Sequence, residues 1–243
     1  DTSQTISISV LPLDKSVNSS GPLEFCSDDD VTLTAAAGLK YEWNGPGIPN
    51  NGFSTYRFGP SDTLNGGFGN YLSGMWFTAE KSFRLDSITV KSDGLVDFQV
   101  RISEGGGNQS SGHSGAELQL SNTINVPTAG THKVYVGLSI PKGSYYINIK
   151  FATSTPGKLH RATTGVTYPY TIANVASIDS VNWTGTSSRF YYLYNWVITE
   201  EGDRSITVNQ AGPYYAVVTT ANGCTDTTAT YTTTIFADAD TTV

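Results

Sequence analysis

Residues 189–197, Arg-Phe-Tyr-Tyr-Leu-Tyr-Asn-Trp-Val, form the densest aromatic run of the chain. Read with the two-residue period of a strand, the face with the larger rings carries Phe190, Tyr192, Tyr194 and Trp196. The opposite face carries Tyr191, Leu193, Asn195 and Val197. Because aromatic residues favour strands and bury large apolar areas, the run predicts a central strand whose aromatic face belongs to a core and not to a ligand platform.

The composition indicates an all-β protein with many short strands and turns. The chain has 243 residues, 25 of them glycine and 14 tyrosine, and charged residues make up only 14%. Its formal net charge of −7 disfavours nucleic acid and anionic membrane surfaces as partners. No stretch approaches the roughly 20 apolar residues of a membrane span, and no signal peptide opens the chain, which we interpret as a mature or excised fragment.

The two ends of the chain contain matching sets of predicted strands. Near the start, alternation of apolar and polar residues predicts strands at 4–11, 31–35 and 40–43. Near the end, the same pattern predicts strands at 205–208, 215–219 and 230–236. Asn222-Gly223 is a tight-turn signal between the last two.

These segments resemble the immunoglobulin-like modules of large secreted bacterial surface proteins. The resemblance rests on Val-Thr-Leu-Thr-Ala from residue 31, Tyr-Glu-Trp from residue 41, Ser-Ile-Thr-Val from residue 205 and Gly-Pro-Tyr from residue 212. It implies that Trp43 is the core tryptophan. It also implies that Tyr214 forms a tyrosine corner, in which the hydroxyl bonds back to the backbone. The location it implies is extracellular or on the cell surface.

About 150 residues separate the two halves of this module, which is too long for a loop without structure of its own. We therefore expect a discontinuous immunoglobulin-like host domain, 1–49 and 203–243, and an inserted domain, 50–202. About eight predicted strands with regular turns favour a jelly-roll β-sandwich for the insert. With Trp-Phe-Thr from residue 76, Phe-Arg-Leu-Asp-Ser-Ile-Thr-Val from residue 83 and Tyr-Tyr-Leu-Tyr-Asn-Trp from residue 191, the insert resembles β-sandwich modules of secreted, multidomain bacterial proteins, often exported by the type IX route. Its overall shape is similar to galactose-binding-like carbohydrate modules.

The two cysteines, Cys26 and Cys224, lie far apart in the sequence. An even pair in a secreted protein predicts one disulfide, and the turn-like setting of both residues favours that reading. Such a bond would fasten the end of the sandwich and would not bridge its centre as in antibodies. The alternative is two buried free thiols.

Motifs for catalysis are missing from the sequence, and we predict that the chain is not an enzyme. His113, His132 and His160 are the only histidines, and their spacing suits no metal site. The segment 112–115, Gly-His-Ser-Gly, has no strand-to-helix context for a nucleophile elbow. A carboxylate pair that meets only in the fold stays open as an alternative.

Aspartates supply the weak candidates for a calcium site, the one cofactor the sequence suggests. Asp28, Asp29 and Asp30 follow one another in a turn, and Asp238 and Asp240 lie in the C-terminal tail. Loops of β-sandwich modules bind calcium through such hard oxygen ligands. The alternative, which we favour, is that aspartate simply suits turns and solubility.

A sugar site needs an exposed aromatic ring and planar polar groups at a loop rim or concave face. The candidates that combine these chemistries in the insert are Trp183, Tyr168, Tyr170, Arg161, Asn182 and Arg189. Pro169 excludes its segment from the middle of a sheet, and Trp183 is the tryptophan we expect to be exposed. The alternative for each is a ring that caps the end of the sandwich, and Trp43, Trp76 and Trp196 are predicted core residues.

Together these features predict a module for adhesion or glycan binding within a larger secreted protein, with glycans and neighbouring domains of the same chain as partners. Two alternatives come from other classes of protein. One is a structural spacer without a ligand of its own, and the other is an accessory module of a secreted hydrolase.

Overall fold

The computed structural model describes residues 14–38, 40–48, 54–106, 112–152, 155–181, 189–219 and 224–236. These residues form strands and turns without any helix, which confirms the all-β class. The chain divides into two compact units, Asp1–Asn51 with Asp203–Val243, and Gly52–Gly202. The strand predicted at 4–11 lies outside the described residues.

The described part of the chain contains 22 strands. The first unit begins with β1 (Val17–Ser19), β2 (Glu24–Cys26), β3 (Val31–Ala35) and β4 (Lys40–Asn44). The second unit consists of β5 (Thr55–Phe58), β6 (Gly66–Phe68), β7 (Met75–Ala79), β8 (Phe83–Ser92), β9 (Val96–Gly106), β10 (His113–Leu120), β11 (Ile124–Val126), β12 (Gly130–Ile140), β13 (Gly143–Phe151), β14 (His160–Ala162), β15 (Tyr170–Ile172), β16 (Ala176–Val181), β17 (Phe190–Tyr191) and β18 (Tyr194–Glu200). The first unit ends with β19 (Ser205–Val208), β20 (Gly212–Thr219), β21 (Thr225–Thr227) and β22 (Tyr231–Phe236).

The first unit packs two sheets around one small core. One sheet has the strand order β1-β3-β19, and the other has β2-β22-β20-β21 with β4 also paired to β20. In β3 the odd-numbered residues Val31, Leu33 and Ala35 are buried, while the threonines between them are partly exposed. Trp43 on β4 is buried in the same core, as predicted. Alternation along each strand therefore supplies one apolar face to this core.

Tyr214 on β20 makes the hydrogen bond predicted for a tyrosine corner. Its side chain is fully buried, and its hydroxyl lies 3.0 Å from the carbonyl oxygens of both Gln210 and Pro46. Gly45 has a φ of +156°, and a Cβ at that position would overlap the ring of Tyr214. The ring thus packs against bare backbone, which only glycine permits at this point.

The structure does not contain the disulfide predicted between Cys26 and Cys224, and both side chains are exposed. Cys26 is the strand partner of Phe236, the last residue of β22, and this end of β22 extends past Gly212, the first residue of β20. Cys224 directly precedes Thr225, which is the strand partner of Thr219 at the other end of β20. The cysteines therefore lie toward opposite ends of β20. Seven residues of strand separate Gly212 from Thr219, or about 23 Å, whereas a disulfide needs Cα atoms within about 7 Å. The alternative of buried thiols is also contradicted, by their exposure.

The second unit places two larger sheets face to face around the main core. A seven-stranded sheet has the order β10-β9-β13-β7-β16-β15 with β11 beside β9, and a four-stranded sheet has the order β12-β8-β18-β5. A third, small sheet has the order β17-β14-β6. Buried apolar side chains from both large sheets form one continuous cluster that includes Phe77, Leu85, Phe98, Ile149 and Trp196. This arrangement agrees with a β-sandwich.

The aromatic run folds differently from the single strand that its sequence predicts. β17 ends at Tyr191, Tyr192 has a φ of +65°, and β18 begins at Tyr194. Two hydrogen bonds between residues two positions apart close this bend. The amide of Leu193 donates to the carbonyl oxygen of Tyr191 at 2.7 Å, and the amide of Tyr194 donates to the carbonyl oxygen of Tyr192 at 3.2 Å. Because the chain bends, residues from both predicted faces are buried. The prediction that these rings belong to the core is confirmed, and β18 occupies an interior position of its sheet.

Three tryptophans in the described part of the chain, Trp43, Trp76 and Trp196, are predicted to lie in a core, and for Trp76 this prediction is wrong. It lies on β7, where Met75 and Phe77 point into the core, so Trp76 points to the outer side of the sheet and is only partly buried. Its ring packs edge-on against Tyr146 of the neighbouring strand, with ring centroids 5.4 Å apart. Apolar character alone did not reveal which face of β7 would be buried.

Candidate functional site

Tyr168 and Tyr170 form part of an aromatic cluster at one end of the second unit. The ring of Tyr168 stacks on that of Phe190 with a centroid distance of 6.1 Å, and the ring of Tyr170 meets Phe190 edge-on at 5.9 Å. The hydroxyl of Tyr168 donates to the carbonyl oxygen of Arg189 at 2.9 Å. Phe190 itself is fully buried. The two tyrosines thus cap the core, which is the alternative considered for them above; a ligand contact by either ring stays a prediction.

Arg161 on β14 is held between two rings of the same cluster, which we call the end cluster (Tyr71, Arg161, Tyr168, Tyr170, Phe190, Tyr191 and Tyr192). The guanidinium carbon lies 4.0 Å from the centre of the Tyr71 ring and 5.6 Å from that of Tyr191. This is a cation–π arrangement with little room for a further partner on the Tyr71 side. Among the described residues, Nε of Arg161 and the hydroxyl of Tyr191 are buried without a hydrogen bond.

Two tyrosine hydroxyls of the end cluster, those of Tyr168 and Tyr192, remain protonated over the physiological range. Burial raises the pKa of Tyr168 far above its ordinary value, and the neighbouring Tyr170 raises it further. Burial also raises the pKa of Tyr192, although a hydrogen bond with the backbone of Tyr71 acts in the opposite direction. These hydroxyls can donate hydrogen bonds but are poorly suited to act as bases. Their arrangement is that of a packed structural cap.

Asn182 and Trp183 lie outside the described residues. The same holds for Asp238 and Asp240 among the calcium candidates. Asp28, Asp29 and Asp30 are exposed, in a turn closed by a bond of 3.1 Å from the amide of Asp29 to the carbonyl of Cys26. In the described part of the chain no group of three or more His, Cys, Asp or Glu side chains is arranged to hold a metal ion.

The outer face of the four-stranded sheet carries a second group of polar and aromatic side chains, which we call the sheet face. Register places Arg57 opposite Val197, Val197 opposite Ser87, and Ser87 opposite Tyr135. Residues opposite one another in antiparallel strands point to the same side, so this row crosses all four strands. With strands about 4.8 Å apart, it spans about 14 Å from Arg57 to Tyr135.

A pocket of about 360 Å³ opens on the sheet face. It is lined by Arg57, Phe58, Gly59, Thr89, Lys133, Asn195 and Val197. Lys133 lies opposite Thr89 in the register of β12 and β8, and therefore on the same side of the sheet. The pocket wall thus offers one hydroxyl, one planar amide, two cations and a small apolar floor.

Asn195 lies in the pocket because the strand that carries it is locally irregular. Its φ is +46°, in the left-handed region that asparagine tolerates better than most residues. The register of β18 against β8 shifts between Tyr194 and Val197, which marks a bulge. The backbone N–H of Asn195 donates to the carbonyl oxygen of Pro60 at 3.2 Å. Its side-chain Nδ2 donates to a carboxylate oxygen of Asp62, also at 3.2 Å. These bonds hold its side chain and leave the amide oxygen as an acceptor.

Tyr135 presents the most exposed large ring among the described residues, with 69% of its surface accessible. It lies on β12, where the side chains of Thr131, Lys133 and Tyr135 are exposed, while Val136, beyond Tyr135, is buried. Gly137 has a φ of +69°, and a Cβ there would lie 2.7 Å from Cε1 and from the hydroxyl oxygen of the Tyr135 ring. The ring therefore lies over Gly137.

Sequence reasoning missed the sheet face entirely. Tyr135 and Lys133 lie on β12, and neither is among the site residues that the sequence suggests. Arg57 lies in β5, and no strand is predicted there. The sequence did contain a signal between Gly130 and Gly137. In the two-residue period of a strand, Tyr135 shares one face with the polar residues Thr131 and Lys133, and a glycine follows it at residue 137.

The histidines make structural contacts in the described part of the chain. Nδ1 of His160 lies 3.0 Å from the hydroxyl of Tyr194, and Nε2 of His132 lies 2.9 Å from the carbonyl of Thr128. His113 contacts the guanidinium of Arg101. The side chains of His160 and Tyr194 are both buried.

Comparisons with protein families, with curated proteins and with solved structures found no match to this chain. The described residues also include no apolar helix of membrane-spanning length. Function must therefore be inferred from the side chains that the fold leaves accessible.

Proposed function

We propose that this chain is a non-catalytic adhesion or carbohydrate-binding module of a larger, secreted bacterial surface protein. The sheet face of the second unit is the proposed binding surface. One observation carries the proposal: the exposed ring of Tyr135 lies on the same face as a pocket lined by Thr89, Asn195 and two cations. Arg57 and Lys133 supply the cations.

The chemistry of this face matches what a sugar ring offers. A sugar has apolar C–H faces, which pack on an exposed aromatic ring, and a rim of hydroxyls, which bond to planar amides and cations. The ring and the polar groups lie on neighbouring strands of one sheet, so the backbone fixes their spacing before a ligand binds. Less conformational entropy is then lost on binding.

The proposed architecture is an immunoglobulin-like host domain that carries an inserted jelly roll. Strand neighbours β1-β3-β19 and β4-β20-β22 in the first unit follow the A-B-E and C-F-G orders of immunoglobulin-like sandwiches. The second unit occupies the chain between β4 and β19. The sequence resemblance described above supports a secreted bacterial origin and a role next to other domains of the same protein.

The proposal is tested by binding of the whole chain to a glycan array, with the ligands that bind then titrated in solution. Tyr135→Ala is expected to weaken binding at least about tenfold, which corresponds to 1.4 kcal/mol, because the stacking surface is lost. Phe236→Ala is the matched control, since this ring is also exposed, at 54%, but belongs to the first unit. It should leave the affinity unchanged.

A third variant separates the sheet face from the sites that the sequence suggested. If Trp183→Ala removes binding while Tyr135→Ala does not, the glycan site includes the segment around Trp183 and the sheet face is not involved. An array on which the wild-type chain binds nothing contradicts the proposal and favours a structural spacer.

A further inference from the structure

The pocket on the sheet face has an electrostatic character opposite to that of the whole chain. Its charged lining residues are Arg57 and Lys133, both cations, and no carboxylate belongs to the described lining. The chain as a whole has a formal net charge of −7. A pair of cations facing one pocket is therefore not a consequence of average composition.

Neither cation has an ion-pair partner within the described residues, where four salt bridges occur and involve other side chains. Both are exposed. Asp62 lies close to the pocket, but it accepts bonds from Asn195 at 3.2 Å and from Thr131 at 3.3 Å and pairs with neither cation. Elsewhere on the same face the guanidinium of Arg84 is paired with Asp86. The fold thus pairs one arginine of this face and leaves Arg57 open.

We infer that the sheet face selects acidic glycans, whose sugar rings carry a carboxylate or a sulfate group. This inference rests on the proposed function and adds the class of ligand. The sugar ring packs on Tyr135, and the anionic group is bound by Lys133 or by the fork of Arg57, which matches a planar carboxylate with two parallel hydrogen bonds. The overall negative charge of the chain repels anions elsewhere and so confines their binding to this face.

The test uses the whole chain and two pairs of polysaccharides that differ only in charge. The first pair is polygalacturonate and its methyl ester, and the second is dextran sulfate and dextran. Calorimetric titration is expected to show binding to the charged member of at least one pair, at least about tenfold tighter than to its neutral counterpart. Comparing the two pairs distinguishes carboxylate from sulfate. Raising the salt concentration should weaken this binding, because exposed charges are screened.

Charge variants locate the recognition. Arg57→Gln and Lys133→Gln are each expected to weaken binding of the charged polymer about two- to fivefold, the range of a single exposed ion pair. Lys133→Glu should weaken it further. Lys150→Glu is the matched control, because this exposed lysine belongs to β13 in the other large sheet, and it should have no comparable effect.

Each possible result supports or overturns the inference. Equal affinity for the charged and neutral members of both pairs overturns it but leaves glycan binding intact. Absence of binding to every polymer also overturns it, and the glycan array then decides the proposed function separately. Tight binding to a charged polymer that is unaffected by the Arg57 and Lys133 variants overturns it as well, because the anion is then held elsewhere.

Discussion

The end cluster and the sheet face are built from similar side chains but differ in what surrounds them. Both contain tyrosine and arginine. In the end cluster, Phe190 is fully buried beneath Tyr168 and Tyr170, and Arg161 is already held against the ring of Tyr71. On the sheet face, Tyr135 is 69% exposed, and Arg57 has no ion-pair partner among the described residues.

This comparison shows that aromatic density is a poor guide to a binding site. Rings that follow one another closely in the sequence pack on one another and so remove their faces from solvent. An isolated ring on a sheet face has no such neighbours. The residue types that a ligand requires must therefore also be accessible, and accessibility is set by the register of strands that are distant in sequence.

The largest expected effect is on stability, from removing the ring at the centre of the end cluster. Phe190→Ala should lower the free energy of unfolding by about 3–5 kcal/mol, because it leaves a cavity beneath Tyr168 and Tyr170. Tyr135→Ala should change it by no more than about 0.5 kcal/mol, since an exposed side chain leaves no cavity. Urea unfolding monitored by tryptophan fluorescence measures both. Similar losses in the two variants would abolish the distinction between the regions.

Two adjacent tyrosines of the end cluster offer a closer test. The hydroxyl of Tyr192 donates to the carbonyl of Tyr71 at 3.0 Å and accepts a bond from its amide at 2.5 Å. Tyr192→Phe should therefore cost about 1–3 kcal/mol of stability, because backbone groups lose their partner. Tyr191→Phe should be neutral or stabilising, since among the described residues its buried hydroxyl has no hydrogen bond. A larger loss for Tyr191→Phe than for Tyr192→Phe would show that this assignment of the bonds is incorrect.

The stability of the chain is expected to depend on pH through His160. This imidazole contacts the hydroxyl of Tyr194, whose ring packs on Phe190 of the end cluster. Burial lowers the pKa of His160, Lys91 lowers it further, and Asp62 opposes both. Since the folded pKa lies below the unfolded value of about 6.5, the neutral imidazole contributes its full stability above that pH. This contribution is lost as the pH falls from about 6.5 through the folded pKa. Its full size is about 1.4 kcal/mol for each pH unit that separates the unfolded pKa from the folded pKa.

The difference between wild type and His160→Gln isolates this contribution. We expect the free energy of unfolding to fall less for His160→Gln than for wild type between pH of about 7 and 5. Leu118→Ala, at an exposed side chain that carries no titratable group, is the control and should retain the wild-type slope. Parallel pH curves for wild type and His160→Gln would show that this imidazole is not linked to folding.

The smallest expected effect comes from comparing the two arginines. Arg161→Gln removes the cation–π contact with Tyr71 and should cost about 0.5–2 kcal/mol of stability. Arg57→Gln should be close to neutral for stability, because no described partner is lost. Thermal unfolding of the two variants in one buffer provides the measurement. A loss for Arg57→Gln as large as that for Arg161→Gln would mean that Arg57 has a structural role.

Much of the fold could be predicted from local patterns. Alternation identified the strands β3, β4 and β19. The prediction failed where the backbone leaves regular geometry. The bend at Tyr192 and the left-handed Asn195 interrupt a run whose composition favours one continuous strand. Asn195 lies in the pocket because of this irregularity, so its place in the site could not be predicted from the run.

By itself, the sequence determined the all-β class and the buried aromatic run, because each follows from propensities within a few residues or along one strand. Only the tertiary structure decided that Cys26 and Cys224 lie toward opposite ends of β20, that Trp76 faces outward, and that Tyr135 is open on the same sheet face as Arg57. These outcomes depend on which strands pair and in which register. Such pairings join residues far apart in the chain, and no local pattern specifies them.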